Sequence, residues 1–222
     1  MTTRRVSSQS KSDGGGDERI ILFTRYPEPG ITKTRLVPKL GPDGAAELHR
    51  KMTEHTLDRI RMLAHIRPVS IETRYAGGDD DRMKDWLGCD LLIRRQWGTD
   101  LGTRLTEAFH QAFREGMRRV IIVGTDCPAL TPRLLTQALQ SLHENDLVLG
   151  PAVDGGYYLV GLRRAVPELF RDVKWGTDGV LQETLRRAAK SGLAVTLLQT
   201  EGDVDRPEDL HRWERVVSSG TK

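Results

Sequence analysis

Short apolar runs alternate with amphipathic stretches from about residue 19 to residue 217. The run Arg19-Ile20-Ile21-Leu22-Phe23-Thr24 predicts a first strand. It is stopped by Tyr26-Pro27-Glu28-Pro29-Gly30, where two prolines and a glycine forbid a central strand from continuing. From 43 to about 64, Leu48, Met52, Thr56, Ile60 and Leu63 recur at helical spacing with charges between them, which predicts a helix covering one face of a sheet. Strands are expected at 68–75 and 91–93, with a short helix at 79–87 between them and a longer one at 103–118. The uninterrupted Val120-Ile121-Ile122-Val123 suits a strand buried on both faces of a parallel sheet. Thr131 followed by Pro132 is the N-cap and first-turn signal of a further helix. Strands then follow at 146–151, 157–162 and 194–199, and helices at 178–190 and 207–217.

Strands and helices thus alternate, except that Leu147-Val148-Leu149 and Tyr158-Leu159-Val160 follow one another closely. That pair predicts an antiparallel strand within a mostly parallel sheet. The expected class is α/β: one domain over 19–217, a mixed sheet with helices on both faces. Residues 1–18 carry Ser, Gly, Thr and charge without an apolar period, so a disordered tail is expected there, and a flexible end at 218–222.

Composition narrows the picture. A chain of 222 residues suits one large core. Lys+Arg 34 against Asp+Glu 31, net +3, is too evenly mixed to make nucleic acid the partner. Two cysteines, Cys89 and Cys127, form neither a disulfide framework nor a zinc site. No apolar run approaches the roughly 20 residues that span a bilayer and no signal-peptide pattern opens the chain, so a cytoplasmic location without membrane insertion is expected. The sequence sets no oligomeric state.

In an open α/β sheet, ligands bind beyond the carboxyl ends of the strands, so the segments that follow apolar runs are where chemistry is sought. After the first strand, Arg25, Lys33 and Arg35 lie in a turn-rich loop, and three cations there suit a diphosphate; an ordinary solvated basic loop is the alternative. Asp126, ending the run Val123-Gly124-Thr125-Asp126, is placed to hold Mg²⁺ or Mn²⁺, or else to cap the turn before Pro128. Cys127 has no neighbouring His to activate it and is read as packing. Asp154-Gly155-Gly156 allows close backbone approach by a ligand, or forms a plain Asp-Gly hairpin turn. Thr177 or Asp178 caps the following helix or serves chemistry, and Asp205 before Pro207 either caps a turn or supplies a second carboxylate to the cation.

Together these segments resemble a family of bacterial glycosyltransferase-like proteins of the GT-A fold, within the nucleotide-diphospho-sugar transferase superfamily. The resemblance rests on FTRYPEPGITKTRL, GTDCP, GPAVDGGYYLVGL, WGTDGVLQETL and DVDRPEDL, in that order. It implies a GT-A-like domain in which Lys33 and Arg35 lie near the nucleotide diphosphate, with Arg25 of the same loop as a further candidate, and Asp126 and Asp205 bind the metal. It further implies that Asp154 and Gly155 border the sugar or acceptor pocket; Gly156 and Trp175 are substrate-binding candidates beside them, and Asp154 or Asp178 is the candidate base on an acceptor hydroxyl if the reaction inverts configuration. The expected activity is transfer of a sugar from a nucleotide sugar to a small-molecule acceptor.

The chain departs from that pattern in two places. It has Thr125-Asp126-Cys127 where metal-dependent GT-A enzymes show D-x-D, and it lacks the G-G-x-G-x-R loop of sugar nucleotidylyltransferases. Its K-T-R-L, single strand-end Asp and late P-E-D-L are also similar to nucleotidylyltransferases that join a nucleoside triphosphate to a phosphorylated small molecule, such as phospholactate guanylyltransferase. A non-catalytic nucleotide-binding protein is the third reading.

Overall fold

The computed structural model describes residues 16–219. The chain runs β1 (Glu18–Arg25), α1 (Val37–Ala64), β2 (Ser70–Ala76), α2 (Asp80–Leu87), β3 (Leu92–Arg95), α3 (Leu101–Arg114) and β4 (Arg119–Val123). It continues through α4 (Pro132–Ser141), β5 (Leu147–Pro151), β6 (Tyr157–Leu162), α5 (Val180–Lys190), β7 (Val195–Leu197) and α6 (Leu210–Ser219). One seven-stranded sheet has the order β3-β2-β1-β4-β6-β5-β7. Only β6 runs against its neighbours: it pairs antiparallel with β4 and β5, while the other pairings are parallel. The close strand pair therefore does what its spacing predicts.

Alternation along the central strands sorts the core into two layers, because successive side chains leave a strand on opposite faces. Ile20 and Leu22 of β1 and Ile121 and Val123 of β4 pack with Leu57, Ile60, Leu134 and Leu135 of α1 and α4. Ile21, Phe23, Val120 and Ile122 pack on the other side with Leu105, Phe109 and Ala112 of α3. Both faces are covered, which is why β4 reads as an unbroken apolar run.

Several boundaries shift for identifiable reasons. The first helix opens at Val37 and kinks at Gly41 (φ 70), with Pro42 inside it, so the periodic part starts where the pattern predicts. Asp100 caps α3 by accepting from Thr103 N at 2.9 Å, which opens that helix two residues early. Gly116, at positive φ, closes the turn after its end at Arg114.

The proposed tail needs correction at its inner end. Glu18 is a buried residue of β1, bonded by Arg67 and Arg119, and Asp17 pairs with Arg119 at 2.6 Å. A charged stretch reads as tail only until its partners arrive from elsewhere in the fold. Residues 1–15 lie outside the described residues. At the other end Ser218 and Ser219 belong to α6, and 220–222 fall outside. Among the described residues no helix is long and apolar enough to cross a membrane.

Candidate active site

Three segments meet beyond the carboxyl ends of β1, β4 and β7. After β1, Thr32 Oγ1 bonds Tyr26 O at 3.2 Å and accepts from Glu28 N at 3.1 Å, closing a tight turn around Gly30. A 3-10 turn at Thr34–Leu36 follows, anchored by Leu36 in an apolar cluster with Leu48, Met52 and Val204. After β7, an isolated parallel bridge between Ala152 and Glu201 carries the chain on beside β5. Val204 N then donates to Asp126 O at 2.8 Å.

Lys33 ties these segments together. Its backbone is left-handed (φ 52, ψ 45), and its side chain is only 5% exposed. The ammonium lies 2.9 Å from Asp126 Oδ1 and also donates to Val204 O. Asp126 keeps 48% of its side chain exposed, so the carboxylate is paired on one side and open on the other. Burial works to raise its pKa, but the charge and hydrogen bond of Lys33, with help from His49 and Thr125, outweigh it and hold the carboxyl below its ordinary value. Arg35 pairs with Asp205.

His49, on the buried face of α1, places Nε2 3.0 Å from Arg25 O and 3.3 Å from Thr24 Oγ1. Its pKa is lowered, first by burial and against the attraction of Asp126. Gln96 donates to Thr24 O and Arg74 O, both at 3.0 Å, pinning the loop after β3 to the ends of β1 and β2.

A cavity of about 510 Å³ opens here, lined by Arg25, Lys33 and Arg35 with Asp126, Asp205 and Gln96 among others. A second, of about 220 Å³, is lined by Asp126, Asp154, Asp203, Gly156, Tyr157 and Trp175 among others. A third, of about 330 Å³, joins Arg35 and Asp205 to Asp154, Asp178 and Asp203. The three predicted cations thus share one cavity with both predicted metal carboxylates.

The remaining candidates divide. Asp154 Oδ1 accepts from Gly156 N at 2.9 Å, so it shapes the turn as well as lining two cavities. Gly155 (φ +87) is required by the fold itself, because a Cβ there would lie 2.1 Å from Asp178 O. Trp175 stands edge-on to Tyr157 at 6.3 Å and lines the second cavity. Asp178 is exposed, and neither it nor Thr177 caps α5, whose N-cap is Gly179 without a side-chain bond. Nor does Asp205 cap the turn before α6; Asp209 does so, accepting from Arg206 N at 2.9 Å. Cys127 is buried, and burial pushes its thiol up to about 12, in keeping with packing.

Sequence reasoning passed over Asp203, His49 and Gln96. Asp203 had a signal in Asp203-Val204-Asp205, where two acids flank an apolar residue that the fold buries fully, and both acids line an adjoining cavity. Burial, then the carboxylates of Asp154, Asp209 and Asp126, raise the pKa of Asp203.

Residues 59–177, more than half of the chain, match the family described as "Uncharacterized protein conserved in bacteria (DUF2064)". The chain belongs to this family. The match holds the Asp126 and Asp154 segments, whereas the loop bearing Lys33 and the late Asp203–Asp205 segment lie to either side of it. Among solved structures, a Desulfovibrio desulfuricans G20 protein named for the nucleotide-diphospho-sugar transferases is 35% identical, with TM-score 0.82, over 90% of this chain and 88% of its own. A Chloroflexus aurantiacus protein named phosphoenolpyruvate guanylyltransferase is 26% identical over 85% of this chain and 91% of its own length. A Methanopyrus kandleri protein named 2-phospho-L-lactate guanylyltransferase is 37% identical over 40% of this chain and 46% of its own length.

For a divalent metal, the donor chemistry of this DUF2064 site fits. Among the described residues no three His, Cys, Asp or Glu form a ready-made cage. Mg²⁺ needs only one or two protein carboxylates, with phosphate and water completing its shell. Asp126, which shares one cavity with Asp205 and another with Asp203, offers hard oxygen donors of that kind; Asp205 is committed to Arg35.

Proposed function

We propose that this protein is a nucleotidylyltransferase that joins a nucleoside monophosphate unit, from GTP in the first instance, to a phosphorylated small acid with release of pyrophosphate. The observation that carries the reading is the single cavity that Arg25, Lys33 and Arg35 line together with Asp126 and Asp205. Cations and metal-binding oxygens lining the same cavity suit a triphosphate entering with its metal. The two guanylyltransferase names among its relatives, one over most of the chain, support this reading above sugar transfer.

In this reaction an oxygen of the acceptor phosphate attacks the α-phosphorus. A new P–O bond forms there as the bond between the α-phosphorus and its bridging oxygen breaks, and the electron pair leaves with pyrophosphate. Arg25 and Arg35 orient the phosphates, and Lys33 moves positive charge toward them. A phosphate acceptor is already ionised near neutral pH, because its second pKa is about 6, so no general base is required. Asp154 and Asp178, expected as bases for a hydroxyl acceptor, are then free to act in turn geometry and pocket shape. A bound Mg²⁺ or Mn²⁺ would be held by Asp126 and Asp203, or by Asp126 and Asp205, and supplies charge neutralisation to the phosphates.

Sugar transfer is the second reading, favoured by the 35% identical relative named for nucleotide-diphospho-sugar transferases. A thermal-shift screen with Mg²⁺ separates the two. At 100 times Kd a ligand stabilises by about 2.7 kcal/mol, a rise of roughly 5–10 °C in a chain of this size. GTP is expected to give that rise and nucleotide sugars are not; stabilisation by nucleotide sugars alone defeats the proposal. Asp126→Asn is expected to keep the fold and lose the metal-dependent part of the rise. Pyrophosphate release with GTP and phosphoenolpyruvate or 2-phospho-L-lactate then tests the acceptor.

A further inference from the structure

We propose that Lys33 neutralises Asp126 in the free protein and thereby makes cation binding wait for the phosphates of the nucleotide. The inference rests on the reading that Asp126 takes the metal. In the free protein one oxygen of that carboxylate is committed: Oδ1 lies 2.9 Å from the Lys33 ammonium and accepts from Thr125 Oγ1 at 3.1 Å. A single negative charge is thus already matched by a buried, fixed positive one. A dication arriving alone finds the charge of Asp126 already matched and a neighbouring ammonium that repels it.

The nucleotide changes the balance. Its triphosphate brings several negative charges into the cavity that Lys33 lines, giving the ammonium a second partner and leaving Asp126 to the metal. The backbone need not move. Leu36 N bonds Lys33 O at 2.8 Å and Leu36 sits in the apolar cluster with Val204, so the left-handed turn stays while the side chain turns from carboxylate to phosphate. Metal and nucleotide therefore bind as a coupled pair, each raising the other's affinity by the same factor.

The test is a titration of Mn²⁺ without nucleotide, with free Mn²⁺ read by electron paramagnetic resonance, on wild type, Lys33→Met and Lys33→Arg. Lys33→Met is expected to bind Mn²⁺ about tenfold tighter than wild type or more, a difference of about 1.4 kcal/mol, and Lys33→Arg to resemble wild type. The added affinity is expected to vanish in Lys33→Met combined with Asp126→Asn, and the gain in Mn²⁺ affinity on adding GTP to shrink in Lys33→Met. Unchanged or weaker Mn²⁺ binding by Lys33→Met overturns the inference, since a lysine that merely positions Asp126 gives that result. Survival of the added affinity without Asp126 overturns it too. Should Lys33→Met not fold, Lys33→Gln keeps a donor for Val204 O without the charge. A wild type that no nucleotide stabilises with metal defeats the nucleotidyl reading and this inference together; a failure confined to Lys33→Met leaves that reading standing.

Discussion

Replacing Gly155 by alanine distinguishes a glycine kept for a ligand from one kept for the fold. Its φ of +87 lies where an L side chain costs roughly 1–2 kcal/mol. The new Cβ would lie 2.1 Å from Asp178 O, a backbone atom that cannot rotate away. Moving the 178–181 segment aside adds about 1–3 kcal/mol of overpacking and weakens the 2.9 Å bond from Leu181 N to Gly155 O. A total of about 3 kcal/mol lowers Tm by roughly 6–12 °C in a chain of this size. Differential scanning calorimetry of Gly155→Ala measures it. Asp178→Ala, which removes an exposed side chain and leaves the obstructing backbone oxygen in place, serves as the control and is expected to change stability by under about 0.5 kcal/mol. A fall below about 2 °C in Gly155→Ala, with loss of nucleotide binding, would refute the packing argument and return Gly155 to the ligand.

Acid should act through the pairs at the start of β1. Burial works to raise the Glu18 carboxyl, but Arg67 and Arg119 outweigh it and hold its pKa below the ordinary value of 4.5. The unfolded chain therefore takes up the proton first as pH falls. This stabilisation is complete above about pH 4.5 and lost as pH drops through the folded-state value, so Glu18→Gln should flatten the decline of urea midpoints in that window. The thiols should also differ: exposed Cys89 is expected to react with Ellman's reagent in the native protein, and buried Cys127 only after unfolding. Simultaneous reaction of both would contradict the packed environment of Cys127.

Local pattern carried much of the fold. The unbroken run of β4, the closely spaced β5 and β6, and Thr131-Pro132 opening α4 are each set by neighbouring residues and by burial on one or both faces. That the Arg25–Arg35 loop and Asp126 lie at strand ends was legible for the same reason: they follow strands whose ends the pattern locates, and they line one cavity. Tertiary structure decided what those side chains meet. Lys33 bonds a carbonyl 171 positions away, and Glu18 belongs to the folded domain through Arg67 and Arg119. Glu72, fully buried, is matched by Arg19 and Arg74. Periodicity reports how apolar a face is, but a polar or charged residue can be buried on it once a partner from elsewhere satisfies its charge. The choice among Asp126, Asp203 and Asp205 likewise depends on which carboxylates share a cavity and which a guanidinium already holds, because those distances are set by how the strands are ordered in the sheet.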